Sequence, residues 1–388
     1  MENRDFNAIL AEQEHLLQVY DQYEIEPVNA NGVWLKTRDG QKILDMYGGH
    51  AVASLGYNHP AIIKALGNQA QTLFFQSNAV ALEIRAQAAE KLSEFSPKNL
   101  NTVFLVNSGA EANENALRIA LKKTGRKKVL AIEHGFHGRT AAAASVSWGA
   151  KDKWYGFPST PFDVDFIPRE NKSKASSMIN ETVGAVIIEL VQGIAGAFEL
   201  SPEFIKTIAD KCKSTNTVLI IDEVQTGVGR CGSAFAIDFY GIEADIITTA
   251  KGLGSGFPCG ALLMNNLMAE GLSNGDLGST FGGGPIACAL IDAVISTINS
   301  DNLMESVNIL SKRIKKECVT GPVEAISGKG FLLGLHCPDG AKPVIDGLMK
   351  QGILVGSSSN PNILRLLPPL ILQHEHVDMF IAALKTVK

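Results

Sequence analysis

Six short, almost uninterrupted apolar runs divide the middle of the chain, and they constrain its fold more than any other feature. They are rich in β-branched residues, and helical periodicity separates them, as in Glu111–Lys122 and Pro202–Lys213. Such runs are typical of strands buried on both faces of a parallel sheet. The runs are Val103–Val106, Val129–Ile132, Val183–Leu190, Thr217–Ile221, Asp245–Thr249 and Ala261–Met264. Strands alternating with helices predict a doubly wound α/β domain, in which ligands bind at the carboxyl ends of the strands.

The two ends of the chain have a different pattern. An apolar stripe from Ile9 to Tyr20 predicts an opening helix, and Asp39-Gly40 is suited to a hairpin turn. After a helix that follows Pro285, the segments Gly330–His336 and Ile363–Leu367 are predicted strands. We therefore expect a large α/β domain with a mostly parallel central sheet and a smaller α+β domain built from both termini. The expected boundaries are 1–48 and 285–388 for the small domain and 49–284 for the large one.

Composition excludes several classes of protein. The chain has 388 residues, of which 45% are hydrophobic and 19% charged, so it is not intrinsically disordered. A net charge of −5 argues against a basic nucleic-acid-binding surface. The six cysteines lack metal-ligand spacing, and we expect no metal site and free thiols in a reducing compartment. Without an apolar leader or a membrane-length apolar stretch, the sequence predicts a cytoplasmic protein that does not enter a membrane.

Two charged side chains follow predicted buried strands. Asp222 comes directly after Thr217–Ile221, where a carboxylate is costly unless a cation meets it. It could cap the following loop, or it could hold a cationic ring nitrogen, as in pyridoxal phosphate (PLP) enzymes. Lys251 follows Asp245–Thr249 and precedes a glycine-rich turn. It could be a solvated loop lysine, or an amine whose pKa burial lowers until it becomes nucleophilic.

Three further segments carry candidate binding groups. Asn107–Asn113 opens a helix with a small-residue turn, which suits either an ordinary cap by Ser108 or a phosphate site. Gly278–Gly284 combines hydroxyls with a run of glycines and suits a phosphate in the same way. Glu133–Thr140 holds an aromatic ring, an arginine and two histidines, but no third metal ligand has an obvious place there.

A glycine pattern elsewhere imitates a dinucleotide-binding motif. Gly227–Gly232 satisfies G-x-G-x-x-G, the only basis for a nicotinamide oxidoreductase. The motif requires a strand directly before it and a long helix after it, and the sequence predicts neither. We therefore interpret these glycines as structural.

Taken together, five segments resemble one family over about residues 31–370. They are FLVNSGAEANENALRIA, GFHGRT, IDEVQTGVGR, TTAKGLGSGFPCGA and GSTFGGGPIACA, in the family's order. The family is the class III (ornithine-type) aminotransferases, PLP-dependent homodimeric enzymes of fold type I (aspartate aminotransferase-like).

The resemblance is strongest to members that act on N-acylornithines. It implies transfer of the δ-amino group of an N2-acylornithine, acetyl or succinyl, to 2-oxoglutarate. The products would be the acylglutamate semialdehyde and glutamate, in arginine biosynthesis. Ornithine, 4-aminobutyrate or a lysine-pathway amine are alternative donors, and a protein that binds PLP without turnover is another alternative.

The resemblance also implies roles for individual residues at the cofactor. Lys251 would bind PLP covalently and then move the proton, while Asp222 would pair with the ring nitrogen and Gln225 with the phenolic oxygen. Phe136 and Val224 would cover the two faces of the ring. The other implied cofactor-binding residues are Ser108, Gly109, Ala110 and Glu223, together with Thr280 of the partner subunit.

For the substrates, the resemblance implies that Arg139 binds a carboxylate with Ser279 and Glu189 nearby. Arg365 would bind the α-carboxylate of glutamate. The chain departs from the family at Ile194, where a glutamate usually neutralises that arginine while the amino donor is bound. Either Arg365 is neutralised in another way here, or the donor tolerates a free arginine. His50 is a second departure, at a position where an aliphatic residue is commoner in the family. Because this segment lies near the substrate in relatives, the identity of the acyl group, acetyl or succinyl, stays undecided.

Overall fold

A seven-stranded sheet forms the centre of the molecule, in a computed structural model that describes residues 7–387. In chain order the strands are β1 (Pro27–Asn31), β2 (Trp34–Thr37), β3 (Lys42–Asp45), β4 (Thr102–Val106), β5 (Lys128–Ile132), β6 (Asp163–Ile167), β7 (Val183–Ile188), β8 (Val191–Gln192), β9 (Phe198–Glu199), β10 (Val218–Asp222), β11 (Ile246–Thr249), β12 (Gly260–Met264), β13 (Ala325–Lys329), β14 (Leu332–His336), β15 (Ile353–Leu354) and β16 (Ile363–Leu366). The central sheet has the order β4-β12-β11-β10-β7-β5-β6.

This sheet is mostly parallel, so the predicted α/β fold class is confirmed. Strand β10 pairs in parallel with β7 and β11, and β5 pairs in parallel with β6 and β7. Only β12 runs against its neighbours β4 and β11. All six apolar runs form strands of this sheet, and every residue of β7 and β10 is buried. The strands carry few polar side chains because helices cover both faces of the sheet.

The helices lie between these strands and at the two ends of the chain. They are α1 (Ala8–His15), α2 (Gly48–Ala51), α3 (Pro60–Thr72), α4 (Glu83–Phe95), α5 (Gly109–Thr124), α6 (Ala141–Ser145), α7 (Ala150–Lys153), α8 (Lys172–Met178), α9 (Pro202–Thr215), α10 (Asn266–Ala269), α11 (Pro285–Ser300), α12 (Leu303–Glu317), α13 (Ala341–Lys350) and α14 (His374–Leu384). The predicted cap of α9 is confirmed, because the Ser201 hydroxyl accepts a hydrogen bond from Phe204 N at 3.3 Å. No helix in residues 7–387 is long and apolar enough to cross a bilayer.

Strands from both ends of the chain meet in one smaller sheet. Strand β15 pairs in parallel with β3, which itself belongs to the antiparallel set β1-β2-β3. The predicted hairpin at Asp39-Gly40 lies between β2 and β3. A further sheet has the order β13-β14-β16. The domain boundaries given above stay a prediction.

The opening helix is shorter than its apolar stripe predicts. Helix α1 ends at His15, and Leu16 is in an extended conformation. Leu17 and Tyr20 are 86% and 78% exposed. The predicted extension to Tyr20 is therefore wrong, because within the described chain these apolar side chains have little surface to pack against and cannot stabilise another turn.

Candidate active site

A cavity of about 470 Å³ lies at the carboxyl ends of the central strands, where the fold class predicts a ligand site. Its walls come from the loops that follow β4, β5, β10 and β11. The predicted site residues that line it are Ser108, Gly109, Ala110, Phe136, Arg139, Glu189, Asp222, Val224, Gln225 and Lys251.

Asp222 is held by three hydrogen-bond donors at the end of β10. Its Oδ2 accepts from His137 Nδ1 and from Asn113 Nδ2, each at 2.7 Å, and its Oδ1 accepts from Val224 N at 2.9 Å. The residue is only 3% exposed. These donors offset the desolvation of a buried carboxylate and fix its position at the cavity wall.

Asn113 is a further candidate site residue that the sequence motifs did not indicate. Its amide nitrogen also donates to the backbone oxygen of His137 at 2.7 Å, and its Oδ1 accepts from the Thr248 hydroxyl at 2.6 Å. With all these partners in place, the amide has one orientation, which directs an N–H toward Asp222. A polar side chain on the buried face of α5, among Ala112, Ala116 and Leu117, was the available signal.

His137 and His134 face different surroundings. His137 is 2% exposed and bonds Asp222, whereas His134 is exposed and lies beside Trp148, with ring centroids 5.7 Å apart. The two histidines therefore do not form one metal site, and residues 7–387 hold no cluster of three or more candidate metal ligands.

Lys251 follows β11 in a strained conformation. Its φ of 46° lies in the left-handed region, which is uncommon for a residue other than glycine, and residues strained in this way cluster at functional sites. Burial lowers the pKa of Lys251, only partly offset by the negative charges of Asp222 and Glu189. A lysine in this environment holds its free amine at lower pH than a solvated one, as a nucleophile requires.

The N-terminus of α5 opens onto the same cavity. Ser108 caps the helix, accepting from Glu111 N at 3.2 Å. A Cβ on Gly109 would lie 2.6 Å from Val224 Cγ1, so only glycine fits beside this wall. The first backbone N–H groups of a 16-residue helix attract anions, as a phosphate site requires.

Phe136, Val224 and Gln225 supply the rest of the wall. The Gln225 side chain lies against the backbone of Gly193, where an added Cβ would come within 1.6 Å of Gln225 Oε1. Glu189 is buried behind Phe136, accepting from Phe136 N at 2.8 Å and from Gly193 N at 3.3 Å. Burial raises the pKa of Glu189, against the lowering effect of His137.

Glu223 does not line this cavity, contrary to its expected role as a cofactor-binding residue. Its carboxylate accepts hydrogen bonds from the Thr226 hydroxyl, from Ala236 N at 3.0 Å and from Ile237 N at 2.8 Å. Because Asp222 already faces the cavity, the next side chain along the extended backbone points the opposite way. Glu223 therefore supports the loop after β10.

The two predicted substrate arginines differ in burial. Arg139 is exposed at the cavity, with its guanidinium carbon 4.7 Å from the centre of the Trp154 ring. Arg365 in β16 is 5% exposed, and its Nη1 donates to the backbone oxygen of Gly193 at 3.3 Å. The neighbour of Gly193, Ile194, lines the cavity.

Ser279 and Thr280 lie outside the cavity of their own chain. The Ser279 hydroxyl accepts from Asn107 Nδ2 at 3.1 Å, which connects it to the turn before α5. Thr280 is exposed.

The glycines of the apparent dinucleotide motif meet protein atoms. A Cβ on Gly227 would lie 2.8 Å from the backbone oxygen of Glu223, and one on Gly232 would lie 2.1 Å from Asn308 Oδ1. Close packing against these protein atoms therefore explains why glycine occupies both positions.

The residues at this site fit PLP. Lys251, with its lowered pKa, and the firmly held Asp222 line one cavity with the helix N-terminus at Gly109. An amine for the aldehyde, a carboxylate for the ring nitrogen and backbone N–H groups for the phosphate are the groups that PLP requires.

Comparison with known proteins agrees with this chemistry. Residues 18–387 match the family described as aminotransferase class III. The acetylornithine aminotransferase of Bacillus subtilis is 36% identical over 95% of this chain and 96% of its own length. That of Methanocaldococcus jannaschii is 34% identical over 98% of both chains.

Solved structures show the same relationship. The acetylornithine aminotransferase of Elizabethkingia anophelis superposes with a TM-score of 0.87 at 27% identity, covering 98% of this chain and 97% of that one. The ornithine aminotransferase of Toxoplasma gondii, described with PLP at its active site, superposes with a TM-score of 0.90 at 26% identity, covering 98% and 94%. The chain is a PLP-dependent enzyme that belongs to the class III aminotransferases.

Proposed function

We propose that this enzyme transfers the δ-amino group of an N2-acylornithine to 2-oxoglutarate, giving the acylglutamate semialdehyde and glutamate in arginine biosynthesis. The observation that carries the proposal is the placement of two guanidinium groups. Arg139 is exposed at the wall of the Lys251 cavity, and Arg365 is buried against Gly193, the neighbour of the cavity-lining Ile194. Both substrates carry carboxylates, and 2-oxoglutarate carries two. Relatives named acetylornithine aminotransferase, at about 35% identity over nearly the whole chain, support the same substrate class.

In this proposal the cofactor supplies an electron sink, and the chain supplies orientation and proton transfer. Lys251 holds the cofactor and then carries a proton on Nζ. Asp222, fixed by His137 and Asn113, keeps the ring nitrogen protonated. Arg139 binds a carboxylate at the open side of the cavity, and Arg365 binds the α-carboxylate of glutamate.

The backbone N–H groups of Gly109 and Ala110, with the Ser108 hydroxyl, bind the phosphate in this proposal. Phe136 and Val224 would pack against the two faces of the ring when the cofactor is bound, and Gln225 would contact its phenolic oxygen. Each of these residues lines the cavity, which supports these assignments.

A substrate panel tests the proposed reaction. We expect kcat/KM with 2-oxoglutarate to be highest for an N-acylornithine, either acetyl or succinyl, and lower for ornithine and 4-aminobutyrate. The Arg139→Ala variant tests the proposed carboxylate contact, and it should weaken binding of every donor that carries an α-carboxylate. A clear preference for ornithine, 4-aminobutyrate or lysine would overturn the acylornithine assignment.

We further propose a homodimer in which Thr280 of the partner subunit contributes to each phosphate site. Thr280 is exposed, and its neighbour Phe281 is 66% exposed. The Phe281 ring lies beside that of Phe75, with ring centroids 5.5 Å apart. Asn78 donates to the backbone oxygens of Ser279 and Gly282, at 3.1 and 3.0 Å, and so joins the two segments. An apolar patch of this kind is typical of an interface.

Mixing two defective variants tests this arrangement. Lys251→Ala lacks the cofactor lysine, and Thr280→Ala lacks the hydroxyl. A mixed dimer has one fully wild-type site if Thr280 acts across the interface, so refolding the variants together should restore activity. Absence of recovery, in a mixture whose dimers have been shown to exchange subunits, would overturn the assignment.

A further inference from the structure

The guanidinium of Arg365 is buried among neutral acceptors. Its Nε donates to the backbone oxygen of Ser357 at 2.6 Å, its Nη1 to that of Gly193 at 3.3 Å and its Nη2 to the Tyr47 hydroxyl at 3.0 Å. Within residues 7–387, each of these partners is uncharged. A buried arginine without a carboxylate in contact is costly, and these three bonds offset part of that cost.

Tyr47 is the one side chain among the three acceptors, and its hydroxyl has a second partner. The hydroxyl lies 2.6 Å from Nδ1 of His50. Since the oxygen accepts from Arg365, its proton is directed to His50 Nδ1, which must then be unprotonated. The His50 residue is exposed overall, but partial desolvation of its ring, with the positive charges of Arg365 and Lys251, lowers the pKa of His50 and favours that form. Donation to His50 makes the phenol oxygen a stronger acceptor for Arg365.

The backbone around this pair is shaped to hold it. Gly48, Gly49, His50 and Ala51 all have φ between 55° and 67°, a left-handed turn that is strained for the two non-glycine residues. Asp45 Oδ1 accepts from Tyr47 N at 2.7 Å and Gly48 N at 2.9 Å and so fixes the start of the turn.

The Tyr47 ring packs closely against the backbone of Gly356. A Cβ on Gly356 would lie 1.9 Å from Tyr47 Cε2, so the ring rests on that glycine's backbone. Gly356 is bridged to Arg365, donating to its backbone oxygen at 3.0 Å and accepting from its N at 2.7 Å. Ring and guanidinium are therefore positioned by the same short piece of backbone.

The proposed reaction places opposite demands on Arg365, and the inference rests on that proposed function. In glutamate the reacting carbon carries a carboxylate, whereas in an N-acylornithine it is a CH2 group. Arg365 must bind a charge in one half-reaction and be stable without one in the other. The side chain of Ile194 has no group that could accept from a guanidinium, and its backbone oxygen already accepts from Ser359 N at 2.9 Å.

We propose that Tyr47, supported by His50, is the neutral partner that holds Arg365 while a donor without a carboxylate on its reacting carbon is bound. When glutamate or 2-oxoglutarate enters, its carboxylate competes with this bond, because charge-assisted hydrogen bonds are stronger than neutral ones. Tyr47 and His50 are thus positioning residues that set donor specificity through Arg365.

Separate half-reactions of the holoenzyme test the role of Tyr47. Tyr47→Phe keeps the ring on Gly356 and removes the acceptor. We expect kcat/KM for an N-acylornithine to fall by about tenfold, while that for glutamate changes by less than about threefold. The signature is the ratio of the two values, since general damage to the fold would lower both together. An equal loss in both half-reactions, or no loss in either, would overturn the proposal.

Two substitutions at His50 give an independent measurement. Asn and Gly both tolerate the left-handed conformation of this position, but only Asn retains an acceptor near the place of Nδ1. We expect His50→Gly to reduce the acylornithine half-reaction selectively, by several-fold, and His50→Asn to restore most of it. Equal behaviour of the two variants would contradict the assigned role of His50.

The same experiments separate this inference from the proposed function. Ornithine and 4-aminobutyrate also lack a carboxylate on the carbon of the reacting ω-amine, so they are measured in parallel. If the wild-type enzyme uses one of these amines in place of an N-acylornithine, the substrate assignment fails while the Tyr47 ratio still applies. If it uses α-amino donors alone, the inference fails as well.

Discussion

Asp222 and His137 share a buried hydrogen bond of 2.7 Å between Oδ2 and Nδ1. Asn113 donates to the same carboxylate oxygen, and Val224 N donates to the other one. The carboxylate is therefore oriented by the protein itself, and little reorganisation is needed when a cation arrives.

Asp222→Asn should lower kcat by at least about a hundredfold, or roughly 2.7 kcal/mol in the barrier. The substitution removes the charge that keeps the ring nitrogen protonated while nearly preserving the shape. Steady-state kinetics at a verified cofactor content measure the effect.

Asp245→Asn is a matched control for that measurement. Asp245 also adjoins a central strand, but it bonds Leu219 N at 2.9 Å and does not line the cavity. Turnover per folded molecule should stay near the wild-type value in this variant. Wild-type turnover in Asp222→Asn would refute the role of the carboxylate.

Borohydride reduction of the holoenzyme should place the pyridoxyl group on Lys251. The prediction follows from its position in the cavity and from the lowering of its pKa by burial. Peptide mass mapping identifies the labelled residue. Lys251→Ala should lose both the label and nearly all turnover, whereas Lys329→Ala, at a half-buried lysine paired with Glu199, should lose neither. A label on any other lysine would contradict the assignment.

Ile194→Glu should raise KM for 2-oxoglutarate on the order of tenfold, because a new carboxylate beside Gly193 would compete for Arg365. Ile194→Gln is the control of similar size without the charge, and it should have a smaller effect. Arg365→Ala should impair the glutamate half-reaction more than the acylornithine one. Unchanged half-reactions in Ile194→Glu would mean that this position does not control Arg365.

Glu223 should make the stability of the protein depend on pH. Burial raises the pKa of Glu223 to about 7, from an ordinary value of 4.5. A carboxyl group whose pKa is higher in the folded state contributes stability that is fully present below pH 4.5. That contribution, on the order of 3 kcal/mol, is lost as the pH rises to 7.

Glu223→Gln should therefore flatten the dependence of the unfolding free energy on pH across this range. It should also lower stability at pH 5, since the amide cannot accept from all three donors. Urea unfolding at several pH values measures both effects, with exposed Glu203→Gln as the control. An unaltered slope in Glu223→Gln would show that the carboxyl is not responsible.

The local pattern of apolar residues was sufficient to predict most strands of the central sheet. The six apolar runs form strands because continuous apolar composition is typical of buried parallel strands. Strands β7 and β10 are buried throughout, whereas β4, at the edge of the sheet, is mostly half-buried. Strand β6 was not predicted, since its sequence Asp163–Ile167 alternates charged and apolar residues and it pairs only with β5 at the sheet edge. The apolar stripe that continues past His15 predicted helix where the structure has none. Periodicity shows that one face of a helix would be apolar, but it does not show whether another part of the protein packs against that face.

At the site, sequence placed Asp222 and Lys251 at strand ends, and the cavity brings them together. It could not place Asn113, which contacts Asp222 across 109 positions of the chain. Adjacency in a motif does not imply a shared role, since Glu223 follows Asp222 in the chain yet bonds Thr226, Ala236 and Ile237 on the opposite side of the loop.

The α/β class, the strand ends that carry Asp222 and Lys251, and the family with its motifs all follow from the amino-acid sequence alone. These properties depend on local composition and on short spacings, which one segment contains in full. The contact of Tyr47 with Arg365, 318 positions away, and the hydrogen bond of Tyr47 to His50 exist only in the folded chain. Such contacts depend on which strands lie side by side and on how a left-handed turn directs its side chains, and no single segment encodes either.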